Sequence, residues 1–189
     1  MSQTKPRVGI SACLLGQRVR YDGRHQRATF LIQALGPFVT WVPVCPEVEV
    51  GMGVPREAIR LVGSARQPRL LGERSGRDWT AAMQRYAERR VTQLVRLRLS
   101  GYIFKSDSPS CGLERVRVYR RADGAPIRTG RGLFARVLTE RRPLLPVEDE
   151  RRLNTPQRCA RFIARVFAYQ RWPAAAAASK SSPRRPSSH

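Results

Sequence analysis

Apolar positions recur along the chain with two different periods. Arg7 to Ser11 (RVGIS) is a short apolar run bounded by polar residues and predicts a buried strand. Phe38 to Val44 (FVTWVPV) is rich in aromatic and β-branched residues and predicts a second. Tyr102 to Lys105 (YIFK) predicts a third. Arg115 to Tyr119 (RVRVY) alternates, which predicts a partly exposed strand, and Pro143 to Val147 reads as a last edge strand. Helical spacing is clearest from Asp78 to Leu99, where Trp79, Met83, Tyr86, Val91, Leu94 and Leu97 recur on one face. Gly101 is placed to end that helix. Further helices are expected over Arg27 to Leu35, stopped by Gly36 and Pro37, over Leu133 to Glu140 behind a Gly-rich turn, and over Leu153 to Trp172. Cys13 to His25 reads as a loop. Cys45 to Gly72 has repeated Pro and Gly without a clear period, so it reads as a long loop with at most one short strand.

The order strand, helix, strand, helix, strand, with apolar strands, predicts an α/β sandwich around a mostly parallel sheet. Loops at the carboxyl ends of such strands line the usual ligand crevice. The expected organisation is an α/β domain over residues 1–148, a linker helix over 149–172 and a disordered tail over 173–189. The tail expectation rests on its composition, an alanine run followed by Ser, Lys, Pro and Arg, which cannot bury apolar surface.

Composition adds charge to this picture. The chain has 189 residues and a formal net charge of +22. Lys5, Lys105 and Lys180 are its lysines; its other basic residues are arginines. A polyanionic partner such as an RNA fits that balance. So does an arginine-rich composition with an acidic partner domain elsewhere. No apolar run reaches the roughly 18 residues of a membrane span. The amino terminus runs into the first strand without the charged, apolar and cleavage regions of a secretory signal. A cytoplasmic location with reduced thiols is therefore expected, and the cysteines read as ligands or reactive groups rather than disulfides.

Three of them fall at comparable places. Cys13 follows the first strand, Cys45 the second, and Cys111 the third by a few residues. If the strands are parallel, all three thiols lie at one edge of the sheet. Three thiolates suit a soft metal centre; three buried structural cysteines fit the spacing equally well. A zinc ion is a rival occupant, with His25 as the one plausible additional ligand. Cys159, within the last helix, reads as an ordinary free cysteine. Around the three thiols, Glu47 is a candidate general base beside Cys45. Ser106 to Gly112 (SDSPSCG) forms a polar turn whose hydroxyls and N–H groups can bind cluster sulfur or substrate. Lys105 offers a compact point charge. Arg20 and Asp22 lie in a turn that can recognise a base or a phosphate, and Gly130-Arg131-Gly132 can offer N–H groups to an anion or form a simple turn.

Four separated motifs occur in order: Ile10 to Gly16 (ISACLLG), Val19 to Gly23 (VRYDG), Pro43 to Glu47 (PVCPE) and Lys105 to Gly112 (KSDSPSCG). Together they resemble the 2-thiouracil desulfidase family, over about residues 7 to 147. The resemblance implies a Rossmann-like three-layer α/β sandwich. It also implies a 4Fe–4S cluster on Cys13, Cys45 and Cys111 with one iron left open. Glu47 and Ser108 match polar residues that the family places beside the cluster and are the implied catalytic pair; Arg20, Asp22, Lys105 and Ser110 are the substrate-binding candidates. The implied reaction is non-redox removal of sulfur from a thiolated pyrimidine. Phe162 to Trp172 also resembles the connecting helix of two-domain members that act on 2-thiouridine in tRNA. The further domain of those members has no counterpart in this sequence, so a shortened relative is expected, with tRNA as a possible partner. Two other functions remain open at this level: a basic RNA-binding module without chemistry, and a zinc- or thiol-dependent enzyme using the same cysteines. A non-functional remnant would leave Phe162, Phe167 and Trp172 without a partner surface.

Overall fold

The computed structural model describes residues 4–121 and 124–171. Strands β1 (Arg7–Ser11), β2 (Thr40–Val44), β5 (Leu99–Phe104) and β8 (Val147–Asp149) form one sheet in the order β2-β1-β5-β8. Every pairing in it is parallel, with Ser11 opposite Val44, Ile10 opposite Ile103 and Phe104 opposite Asp149. The mostly parallel α/β sandwich expected from the element order is the fold observed.

Alternation on the central strands explains the layers. Val8, Ile10 and Ile103 face one side, where Leu31 and Leu35 of α1 (Thr29–Leu35) and Phe162 and Val166 of α5 (Pro156–Arg171) cover them. Tyr102 and Phe104 face the other side, against α3 (Thr80–Arg96) and α4 (Leu133–Arg141) through Met83, Tyr86, Phe134 and Leu138. A sheet buried on both faces must be apolar almost continuously, and all six residues of β5 are buried. Phe162 thus has a packed partner surface with Cys159 buried beside it, while Phe167 is half-buried. Trp172 and the tail read as disordered lie outside the described residues.

Several boundaries differ from the sequence expectation. The segment read as one long loop, Cys45 to Gly72, holds a short helix α2 (Pro46–Glu49) and an antiparallel hairpin of β3 (Ile59–Gly63) and β4 (Pro68–Gly72). These strands are five residues each and bounded by Gly and Pro, too short for a visible period. They join β6 (Val116–Tyr119) and β7 (Pro126–Gly130) in a second sheet, ordered β4-β3-β6-β7. β7 escaped notice because most of its residues are exposed and nothing apolar alternates. Gly101 does not end α3; it lies inside β5, and the chain turns at Arg98 with φ 53°. The last strand is β8 rather than Pro143 to Val147. Among the described residues no helix is long and apolar enough to cross a membrane.

Helix α3 buries Met83, Tyr86, Val91 and Leu94 of the stripe its spacing predicts, together with Ala87, while Trp79 before it is half-buried and Leu97 after it is exposed. Its start is held by Asp78, whose Oδ1 accepts the Thr80 N–H at 2.9 Å and the Thr80 hydroxyl at 2.5 Å. Bonds from the Thr80 hydroxyl first, then its N–H and Arg69, hold the Asp78 carboxyl below its ordinary value of 3.8. A depressed carboxyl stabilises the fold above the unfolded value and loses that contribution as pH falls through the folded one. Asp78→Ala is expected to cost about 1 kcal/mol at neutral pH. The difference from wild type should shrink below about pH 3.8. Urea unfolding at neutral and acid pH checks both.

Candidate active site

Parallel pairing brings the carboxyl ends of β1, β2, β5 and β8 to one edge, and the chain after each strand supplies part of one cavity of about 540 Å³. Cys13 enters from the short 3-10 turn Ala12–Leu15 that follows β1. Cys45 stands between the end of β2 and α2. Cys111 comes from the loop after β5. All three line this cavity and all are free thiols. His25 and Cys159 are not among its lining residues; His25 is exposed and accepts the Arg27 N–H. Among the described residues, no group of three or more His, Cys, Asp or Glu is arranged to hold a metal ion. A lone zinc ion would lack the additional ligand considered for it, because His25 is outside the cavity that the three thiols line.

Each cysteine is positioned by its own local device. The Cys45 N–H donates to Glu49 Oε1 at 3.0 Å, and Glu49 Oε2 takes the Tyr86 hydroxyl at 2.8 Å and pairs with Arg90 at 3.0 Å, so α3 grips the Cys45 turn. The Cys111 N–H donates to Ser108 Oγ at 3.1 Å. The Cys111 loop is also clamped from α4: the N–H groups of Leu133 and Phe134 donate to the carbonyls of Pro109 and Ser110 at 3.1 and 3.0 Å. This contact needs glycine at 132, where a Cβ would stand 2.5 Å from the Ser110 carbonyl. The N–H groups behind Gly130-Arg131-Gly132 are thus spent on the loop and are not an anion site.

Burial dominates the thiol electrostatics. It pushes the Cys13 thiol up to about 11, with the Lys105 ammonium partly opposing it. It raises Cys45, against N–H bonds from Val48 and Glu47, and raises Cys111, with the Glu47 carboxylate adding to the shift. All three are therefore neutral thiols near pH 7, and taking up a metal must release protons.

Glu47 is fixed on both oxygens. Oε2 receives Arg56 Nη2 at 2.5 Å and Nε at 3.0 Å. Oε1 receives the Ser110 hydroxyl at 2.5 Å and the Ser108 hydroxyl at 3.4 Å, while the two serine oxygens lie 3.0 Å apart. Arg56 is a residue that sequence reasoning missed. Its side chain is 5% exposed and also donates to the carbonyls of Gly53 and Val19. In a chain so rich in arginine nothing marks it locally. Removing one member of a buried pair strands the other's charge, so Arg56→Ala is expected to cost about 3–5 kcal/mol in urea unfolding.

Lys105 lines the cavity next to Cys13 and is held by Glu150 Oε1 at 2.6 Å and the Ser106 carbonyl at 3.0 Å. Glu150 also accepts the Ser106 N–H at 2.7 Å. It too went unnoticed in the sequence, although its place directly after β8 puts it at the same sheet edge. Arg20 lines the cavity and bonds Gln26 at 2.5 Å. Asp22 does not line it; it pairs with Arg20 at 3.4 Å from outside. Ser110 is buried behind the surface, its hydroxyl bridging Glu47 and Ser108.

Comparison with known proteins bears on this arrangement. The family model described as 2-thiouracil desulfurase matches residues 8–150. The chain is 30% identical over 136 residues to the uncharacterized protein YbbK of Bacillus subtilis (strain 168), spanning 69% of this chain and 88% of that protein. It is similar in structure to TudS, a 4Fe–4S-dependent thiouracil desulfidase, with a TM-score of 0.65 and 31% identity over 85% of this chain and 99% of that one.

Proposed function

The chain belongs to the 2-thiouracil desulfurase family, and on that basis we propose that it is an iron–sulfur-dependent desulfidase that exchanges the sulfur of a thiolated pyrimidine for oxygen. The observation that carries the reading is the meeting of Cys13, Cys45 and Cys111 in one cavity beside Glu47. The donor set fits a 4Fe–4S cluster: three soft thiol ligands line one cavity, and His25, the additional ligand considered for zinc, does not. The 4Fe–4S dependence of the similar TudS supports the same cofactor. Cys13, Cys45 and Cys111 would hold it, and since four thiolates are usual, the bound cluster would supply a thiophilic Lewis acid at the iron left without a protein ligand.

The chemistry is a hydrolysis. Thiocarbonyl and water become carbonyl and hydrogen sulfide, with no net transfer of electrons. Glu47 takes the proton of the attacking water, because Arg56 and Ser110 hold its carboxylate in one orientation at the cavity wall. Ser108, 3.0 Å from Ser110, extends that carboxylate into a short relay that can return the proton to the departing sulfur. Lys105, anchored by Glu150, and Arg20, anchored by Asp22 and Gln26, orient the polar edge of the base. The net charge of +22 also suits a thiolated base carried in RNA, so both the free base and thiolated tRNA are substrates to test.

The test is purification without oxygen, iron and acid-labile sulfide analysis, and sulfide release from 2-thiouracil and thiolated tRNA side by side. About four iron and four sulfide per chain are expected. Iron-free protein, or an iron-loaded protein that releases sulfide from neither substrate, overturns the proposal. RNA binding that survives loss of the three cysteines, without any sulfide release, would leave only a basic RNA-binding module.

A further inference from the structure

The second sheet gives one face to the core, through Ile59, Leu61, Leu70, Val116 and Val118. The residues that alternate with these are exposed or half-buried: Arg60 and Val62 of β3, Arg69 and Leu71 of β4, Arg117 and Tyr119 of β6. Arg128 of β7 is directly opposite Arg117 and is exposed like it. Leu61 pairs with Val118, so Arg60 and Arg117, one residue before each, are neighbours too. Arg60, Arg117 and Arg128 therefore form a row across three adjacent strands, about 10 Å long at the usual strand spacing. Arg69 and Tyr119 flank Val62 one level on, and the Arg60 guanidinium lies over the Tyr119 ring at 5.4 Å. No residue of the four strands is acidic.

Like charges directly opposite on one face of a sheet repel, so this row costs stability in the protein alone. A strand face that only meets water would set a carboxylate or a threonine against Arg117. The carboxylates that reach the face come from outside the sheet. Asp78 pairs with Arg69 at 2.9 Å, and Asp107 pairs with Arg128 at 3.0 Å while also holding Arg151 at 2.6 Å. Arg117 has no hydrogen bond or ion pair among the described residues. It lines the active cavity together with Arg151, and the carboxylates there besides Glu47 are Glu73 and Asp107. The arginine face thus adjoins the cavity, and its charge is complementary to a polyanion.

We propose that the outer face of the second sheet binds the phosphate backbone of an unpaired RNA strand whose thiolated base enters the cavity. Guanidinium groups match phosphate oxygens in a bidentate fashion, and the Arg60–Tyr119 stack offers a flat surface to a base. The strand is unpaired because a base must leave its stack to enter a cavity, which costs least in a loop or single strand. RNA binding stands on the face alone; its service as substrate rests on the desulfidase reading.

The test is fluorescence anisotropy of the anaerobically purified protein with a short unthiolated single-stranded oligoribonucleotide at increasing salt. In a plot of log affinity against log salt, Arg117→Gln/Arg128→Gln should have a slope shallower than wild type by about 1.4, at about 0.7 for each phosphate contact. Arg117→Gln alone, which breaks no contact in the folded protein, should be shallower by about 0.7. Arg161→Gln/Arg171→Gln makes the same charge change on exposed residues of α5 and should keep the wild-type slope. A wild-type protein that does not bind the oligoribonucleotide, an equal loss in the α5 variant, or a wild-type slope in face variants that circular dichroism shows folded overturns the proposal. With iron-loaded protein, Arg117→Gln/Arg128→Gln should lose more sulfide release from thiolated tRNA than from 2-thiouracil. RNA held through the face without sulfide release from either substrate overturns the desulfidase reading instead.

Discussion

Cys13→Ala, Cys45→Ala and Cys111→Ala, each alone, are expected to abolish both iron binding and sulfide release, while Cys159→Ala retains both. The three thiols enter one cavity from three separate loops, so no neighbouring cysteine can replace a lost one. Changes beyond the ligands of a metal centre commonly cost 10–100-fold, so loss of a ligand should exceed about 100-fold. Cys159 is buried with Phe162 and Val166, its thiol donating to the Leu153 carbonyl, and is not among the residues that line the cavity. Its removal should change stability alone. Anaerobic iron analysis with sulfide release at saturating thiouracil decides the matter. Full desulfuration by any of the first three variants would remove that cysteine from the site.

Glu47→Gln should lower kcat by about 10²–10⁴ while iron content stays at the wild-type level. Glutamine keeps the side chain's length and can still accept from Ser110, but it cannot take a proton. Arg56 would keep its bonds to the carbonyls of Gly53 and Val19 and lose its counter-charge, so some stability is lost as well. The assay therefore belongs at a temperature where circular dichroism shows the variant folded. An iron-loaded, folded Glu47→Gln enzyme with wild-type kcat would show that water is activated elsewhere. Ser108→Ala should lower kcat in the same direction, because the relay from Glu47 through Ser110 ends on that hydroxyl.

How much of this was legible differs between residues. The strand at Arg7–Ser11, the second half of β5 from Tyr102 and most of the stripe of α3 were visible because burial on both faces, or on one, leaves a local trace; the first half of β5, Leu99 to Gly101, reads in the sequence as helix and its end. The three cysteines stood out because each follows a strand, and parallel pairing then turned separate positions into one cavity. Arg56 and Glu150 left no trace. Their importance comes from partners nine and 45 residues away, Glu47 and Lys105, and a contact at such separations imposes no period on the chain. The second sheet was lost for a related reason, since strands of four or five residues bounded by Gly and Pro are stabilised by their neighbours rather than by their own pattern.

The sequence by itself determined the α/β class, the apolar strands and the motifs that set Cys13, Cys45 and Cys111 apart from Cys159. These are properties of contiguous residues, where burial and turn chemistry act within a few positions. Only the tertiary structure decided that the three thiols line one cavity, that Glu47 is held by Arg56 and Ser110, and that Asp22 stands behind Arg20. Those facts depend on the register of parallel strands and on packing across the sheet, which join residues far apart in the chain.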